Sequence, residues 1–327
     1  MSKNMVSIVM CCYNGSRFIQ RSFNSILSQT YDKIELLFVD DGSTDDSAEC
    51  AESFRCRFTE KGYELHIFSQ KNKGVGFATQ LGIKNAKGKY LTLLDVDDFL
   101  MPESIALKAD YLDSHPNCYI VRSNGYEVFE RNLEDTSRLL VVKELEKTTD
   151  NLFLDLLYGK TNNWAGTYMV RLDVLRVFYK DREMYGSRYG QNLQIMLPLA
   201  YLGQAGFIDV PLMKYIRNDH SHTMSNNSLK RLLDLQRGYL NIRMKMLDTI
   251  GVADNVLRKK VKVHFLKKNL ELCLLYRDAG QYNHLFYELI DLDQHAIGLK
   301  EKFEHAYINK QSSAFLYRVL FYLQRKF

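Results

Sequence analysis

Apolar residues in the first hundred positions fall into short unbroken runs, separated by longer stretches with helical spacing. Residues 6–12 form the first run, ended by Asn14-Gly15, a turn pair. Residues 16–29 carry Phe18, Ile19, Phe23, Ile26 and Leu27 three and four apart, which predicts an amphipathic helix. A second run, 34–39, stops at Asp40-Asp41-Gly42-Ser43. A helix capped by Ser43 or Thr44 is predicted from there to about Phe58, with Asp45 and Asp46 in its first turn. Residues 65–68 are a third run and 75–86 a helix weakened by Gly76 and Gly82. Residues 90–94 are a fourth run, stopped by Asp95-Val96-Asp97-Asp98, and a helix with Pro102 in its first turn follows to about Ser114.

This order is β-α-β-α-β-α-β-α. Continuous apolar strands alternating with helices predict a mostly parallel, Rossmann-like α/β sheet covered on both faces. Ligands bind such sheets at the carboxyl ends of the strands. Three of those ends carry polar clusters: Cys11-Cys12-Tyr13-Asn14, Asp40-Asp41-Gly42-Ser43 and Asp95-Val96-Asp97-Asp98. From 118 to 220 the pattern is less regular. Strands are predicted at 118–121 and 126–129, helices at 150–158 and 191–202, and a hairpin from 207–208 to 212–216 across Pro211. Beyond about Leu229 the pattern is helical only. The predicted organisation is a catalytic domain at 1–227, with a nucleotide half to about 115 and an acceptor half at 116–227, followed by a helical region at 228–327.

Charge sharpens that division. Residues 1–227 hold 26 basic and 29 acidic side chains, whereas 228–327 hold 18 and 10. Only the tail suggests a polyanionic partner, and with no recognised nucleic-acid module beside it nucleic acid is not expected. No run reaches the ~18 apolar residues of a spanning helix, and the first run lacks the cleavage site of an export signal. Cys11, Cys12, Cys50, Cys56, Cys118 and Cys273 contain no C-x-x-C pair, so they are expected to be reduced, mostly buried thiols of a cytoplasmic protein. The last helix, 313–327, combines a wide apolar arc with Arg318, Arg325 and Lys326. It reads either as a packed helix or as one giving weak association with the inner face of a membrane.

Asp95 and Asp97 stand at alternate positions after a buried strand. Like charges gathered there need a cation or donors to neutralise them. Hard carboxylate oxygens suit Mg²⁺ or Mn²⁺, which takes one or two protein carboxylates together with substrate phosphates.

The motifs are more specific than that pair. Val6-Ser7-Ile8-Val9 with Tyr13-Asn14, then Ser25-Ile26-Leu27-Ser28-Gln29-Thr30-Tyr31, then Glu35 through Asp45, resemble a family 2 glycosyltransferase. Asn72-Lys73-Gly74, Ala86-Lys87-Gly88-Lys89-Tyr90 and Leu94-Asp95-Val96-Asp97-Asp98 continue the resemblance in order and spacing. It is strong over about 5–105 and weaker over about 150–225. The resemblance implies a GT-A fold, a divalent metal, a UDP-sugar donor and transfer with inversion to a hydroxyl of a glycan or lipid-linked glycan, in cell-surface polysaccharide synthesis. It assigns Cys11 and Tyr13 to the nucleobase side, Asp41 to the uracil N3–H, Asn72 and Lys73 to the donor, Asp95 to the ribose and Asp97 to the metal. Tyr13 also fits a core tyrosine, and Asp98 either a support for the metal or a helix cap.

The chain departs from the family in three places. Thr79-Gln80 stands where an Arg-Asn pair is usual. Gly190-Gln191-Asn192 stands where Gly-Glu-Asp supplies the general base, and neither amide takes a proton at neutral pH. The segment Tyr215-Ile216-Arg217-Asn218-Asp219-His220-Ser221-His222 resembles the closing loop but is richer in histidine. His222 or His220 is a metal or phosphate candidate, Asp219 the nearest candidate base, and Gln191 an acceptor-side residue. Trp164, flanked by Asn162 and Asn163, suits either an acceptor sugar or the core. The missing acid leaves open a catalytically impaired nucleotide-sugar-binding protein of the same fold.

Overall fold

The computed structural model describes residues 4–148, 151–161, 163–182, 184–186, 190–217 and 228–309. In chain order its elements are β1 (Val6–Cys12), α1 (Ser16–Leu27), β2 (Ile34–Asp40), α2 (Ser47–Glu52), α3 (Arg55–Lys61), β3 (Glu64–Ser69) and α4 (Val75–Asn85). Then come β4 (Tyr90–Leu93), β5 (Phe99–Leu100), α5 (Ser104–Ser114), β6 (Cys118–Phe129), α6 (Glu144–Lys147), α7 (Leu152–Tyr158) and β7 (Tyr168–Arg171). The rest are α8 (Leu172–Tyr179), α9 (Gln191–Leu202), β8 (Gln204–Arg217), α10 (Leu229–Ile250), α11 (Asn255–Tyr276), α12 (Ala279–Leu292) and α13 (Leu299–Ile308).

One eight-stranded sheet runs β3-β2-β1-β4-β7-β6-β8-β5. The first four are parallel, with Cys12 opposite Asp40 and Val9 opposite Leu93, so their carboxyl ends share one edge. β7 pairs antiparallel with both β4 and β6, and β5 antiparallel with β8. Strands β1 and β2 are buried almost throughout, which is why they read as unbroken apolar runs. Phe23 of α1 meets Phe38, Phe54 and Phe58 edge-to-face beneath them.

The structure corrects several local expectations. The helix expected from Thr44 to Phe58 begins only at Ser47, because Asp45 turns back to accept from Ser16 N and from Ser47 N and Oγ, and it is split in two at Ser53-Phe54. The helix after Pro102 begins at Ser104, and the Pro102 carbonyl instead accepts from Thr30 N. The strands expected at 118–121 and 126–129 are one, β6, and the expected hairpin is one strand, β8, parallel to it. Pro211 sits at a register shift of that pairing, where its missing N–H costs no ladder bond. β7 and α8 carried no separate signal. Of the thiols, Cys12, Cys118 and Cys273 are buried, Cys11 and Cys50 half-buried and Cys56 exposed, and all six are free.

The chain divides into two compact units, residues 1–222 with 245–250, and 223–244 with 251–327. Within the second, Leu266, Leu270 and Cys273 of α11 pack with Tyr282, Leu285, Phe286 and Leu289 of α12. Asp254 and Asp278 cap these two helices, accepting from Val256 N and Leu257 N, and from Gln281 N. No helix among the described residues is long and apolar enough to cross a membrane.

Candidate active site at the carboxyl edge of the sheet

Three loops are laced together at the edge where β1, β2 and β3 end. Asn14, with φ 51°, donates its N–H to Ser43 Oγ and accepts from Thr44 N at 2.8 Å. Asp41, only 4% exposed, accepts from Gln70 Nε2 at 2.7 Å, Lys73 N at 3.0 Å and Gly74 N at 2.8 Å. It therefore fixes the loop 70–74 against the end of β2. Gly42 permits that approach: its φ is +75°, and a Cβ there would lie 2.7 Å from Asn72 N. The side chains of Asn72 and Lys73 are exposed.

Tyr13 projects from the end of β1 and is 50% exposed, so it is not a core tyrosine. Cys11 Sγ lies 3.4 Å from Thr79 Oγ1. Burial pushes its thiol up to about 12, and the charges of Asp95 and Asp41 add to the shift. It is a neutral wall residue, not a nucleophile. The usual Arg-Asn pair of α4 is thus replaced by a hydroxyl beside Cys11 and by Gln80, whose Nε2 donates to Met184 O.

The carboxylates after β4 carry the strongest electrostatic signal. Burial raises Asp95 to about 7, with the Asp97 charge adding to it, and burial likewise raises Asp97. Burial, followed by the Asp97 and Asp95 charges, holds Asp98 well above the usual carboxylate range. Asp98 accepts from Ile216 N at 2.8 Å, while its Oδ2 is buried without a hydrogen-bond partner. It caps no helix; it ties β8 to the turn. Arg21 of α1 donates Nη2 to the Asp97 carbonyl at 2.8 Å, leaving the Asp97 carboxylate free of that guanidinium's hydrogen bond. Asp95, Asp97 and the orphaned Asp98 oxygen offer the hard oxygen ligands a divalent cation takes, but the three do not close on one point: among the described residues only Glu35, Glu64 and His66 bring three ligand atoms within 4.8 Å of one another.

On the other side of the turn, the loop bearing Trp164 is fastened to β4. Gly166 N donates to Leu93 O at 2.6 Å, and Lys108 Nζ, fully buried in α5, donates to Gly166 O at 2.6 Å and Ser104 Oγ at 2.9 Å. Burial lowers Lys108 to about 7. Trp164 is half-buried and stacks on Tyr215 with centroids 5.0 Å apart and planes 7° apart. Gln191 and Asn192 open α9 after Gly190, which holds φ 73°. Asn192 Oδ1 accepts from Tyr168 Oη at 2.7 Å, and the Tyr168 hydroxyl is held well above its usual range by burial and then by Asp95.

Cys11, Asp41, Asp95, Asp97, Trp164 and Asn192 are therefore linked around one edge. Asp219, His220 and His222 lie outside the described residues. Sequence reasoning missed Arg21, which looks like any solvated helix arginine, and Tyr168. It named Tyr215 only as part of the closing loop.

The sequence model of glycosyl transferase family 2 matches residues 7–178. The chain belongs to that family. An uncharacterized glycosyltransferase from Rickettsia bellii is 34% identical over 153 residues, 47% of this chain and 21% of the relative. The chain spans between 20% and 38% of the length of the first curated relatives it matches. Among solved structures, S. aureus TarS in complex with UDP-GlcNAc superposes with a TM-score of 0.63 at 16% identity, over 94% of this chain and 88% of that one. A mannosyltransferase from Pyrobaculum calidifontis in complex with GDP-Man and Mn²⁺ gives 0.54 at 12% identity, over 94% and 85%. At these identities the likeness is one of fold, and the fold of this family 2 member is the GT-A type, with a helical region after it.

Proposed function

We propose that this family 2 protein transfers a sugar from a UDP-sugar to a hydroxyl of a glycan or lipid-linked glycan, with inversion, in cell-surface polysaccharide synthesis. The observation that carries the reading is the group Asp95, Asp97 and Asp98, which forms no ion pair among the described residues, at the carboxyl edge beside a half-exposed Tyr13. In the proposed roles Tyr13 stacks on the base beside Cys11. A carboxylate has about four acceptor sites, and Asp41, which spends three on its loop, keeps one for the uracil N3–H. Asp95 takes the ribose, and Asn72 and Lys73 flank the donor. Asp97 would hold Mn²⁺ or Mg²⁺, with His222 as a further ligand, and such an ion offsets charge on a leaving diphosphate. A UDP-GlcNAc complex and a Mn²⁺ complex among proteins of like fold support this choice.

Trp164, braced by Tyr215, and Gln191 are assigned to the acceptor, whose hydroxyl loses its proton as it attacks the anomeric carbon. Asn192 cannot serve as base, and its oxygen is already taken by Tyr168; Asp219 is assigned that role. The Asn192 contact also favours a second reading, a nucleotide-sugar-binding protein without transferase activity. The protein would act in the cytoplasm, with weak attachment of residues 313–327 to the inner membrane face.

Calorimetric titration of UDP with MnCl₂ and with EDTA tests the donor site. Metal-stimulated binding is expected, and equal binding in both would overturn the metal assignment. UDP release from UDP-sugars with mixed glycan acceptors then separates transferase from binding protein.

A further inference from the structure

We propose that the groove between α1 and β5 binds an acidic oligosaccharide, the part of the acceptor that carries carboxylate or phosphodiester groups. The inference rests on the sugar-transfer reading above and names its acceptor class. The groove encloses about 580 Å³. Arg17, Gln20, Arg21 and Asn24 line one wall at helical spacing, and Phe99 and Lys214 stand opposite.

No acidic side chain among the described residues lines it, though the charges of Glu130, Asp97 and Asp98 act on Arg21 from beyond its wall. Arg17 is exposed, lies 4.4 Å over the Phe18 ring and forms no ion pair among the described residues. Arg21 gives Nη2 to the Asp97 carbonyl, and its Nε is buried without a hydrogen-bond partner. Lys214 donates to Leu133 O at 2.7 Å, with Glu134 at 3.6 Å. Guanidinium forks match carboxylate and phosphate groups, whereas amides and an aromatic ring match hydroxyls and the apolar face of a sugar. The lining of α1 from Arg17 to Ser28 rises ~16 Å, longer than one sugar ring. Through Arg21 and the Asp97 carbonyl the groove abuts the carboxylate turn. An acidic chain lying in it would run up to the proposed reaction centre.

Titration calorimetry on the full chain would use three probes: trigalacturonate, a glycerol phosphate trimer and neutral maltotriose. Either or both acidic oligomers should bind at least about tenfold more tightly than maltotriose, and the one preferred names the anionic group. Arg17→Glu should weaken the acidic probe about tenfold. Lys61→Glu reverses an exposed charge of the same unit outside the groove and should leave binding unchanged. UDP with MnCl₂ should bind Arg17→Glu as it binds the parent. The proposal is overturned if neither acidic probe binds, if maltotriose binds as well, or if both charge reversals weaken binding equally. A fall in UDP affinity in Arg17→Glu would also overturn it, by giving the groove to the donor phosphates. Failure of UDP to bind the parent protein would instead strike the donor reading.

Discussion

Glu301 in the helical unit is 6% exposed, about as buried as Asp41 at the sheet edge, yet it lives in a different electrostatic setting from the carboxylates after β4. Glu301 meets Lys267 at 2.7 Å and accepts from Gly298 N at 2.9 Å, and its pKa is lowered although burial works against that. Glu304, with Lys300 at 3.8 Å and that lysine shared with Glu271, is instead raised by burial to about 7, as Asp95 is, so the contrast rests on Glu301. The carboxylates after β4 have no such lysines, and the nearest guanidinium, that of Arg21, donates its hydrogen bond to a backbone carbonyl. A carboxylate in a close ion pair holds helices together; carboxylates that Arg21 and Arg17 reach only through space keep their capacity for a ligand.

The sharpest test of this contrast is Asp97→Asn. It should reduce Mn²⁺-dependent UDP affinity by at least ~100-fold, since even residues supporting a metal ligand cost ~10–100-fold. The melting temperature should be unchanged or higher, because one of several crowded charges is gone. Calorimetry and a thermal melt on the same sample check both halves. Tyr13→Ala should weaken UDP by ~1–3 kcal/mol, the worth of a base stacked on an aromatic ring, with no loss of stability because the ring is half exposed.

Glu301→Gln is the converse experiment. Removing the buried carboxylate of a pair whose lysine is partly exposed should destabilise the protein by ~1 kcal/mol in urea unfolding and leave UDP binding untouched. A drop in UDP affinity there would erase the distinction between the two kinds of carboxylate.

Lys108 gives the smallest effect and carries a definite sign. Its folded-state pKa, about 7, lies below the ordinary 10.5, so between those values the unfolded chain binds more protons than the folded one. Stability therefore rises with pH across that window, and the cost of burying the charge is fully present below about 7. Relative to Lys108→Met, the parent should gain ~1 kcal/mol between pH 7 and pH 8. Urea denaturation of both proteins at the two pH values measures it.

β1, β2 and β4 were legible because each is buried on both faces and ends in a polar turn, whereas the edge strand β3 is only half-buried and read as a short apolar run. The clusters at 11–14, 40–43 and 95–98 were legible for the same reason, since strand order alone brings parallel carboxyl ends together. The break at Ser53-Phe54 was not, because the periodicity of Phe54 and Phe58 continues through it. β8 was misread because Asp209 and Pro211 look like a turn until β6 supplies a partner that tolerates the bulge. Lys108 reads as a surface helix residue, and nothing local shows that Gly166 O will need its proton.

The sequence by itself determined the alternation of strands and helices, family membership, and which carboxylates stand at strand ends. These follow from near-neighbour rules: the burial period, turn chemistry and motif spacing. Tertiary structure alone decided that Asp41 spends three of its acceptor sites on the loop 70–74, that Asn192 is held by Tyr168, and that Trp164 lies flat on Tyr215. Those partners are about 24 to 51 residues apart along the chain. Their meeting depends on how the whole sheet closes, which no local pattern encodes.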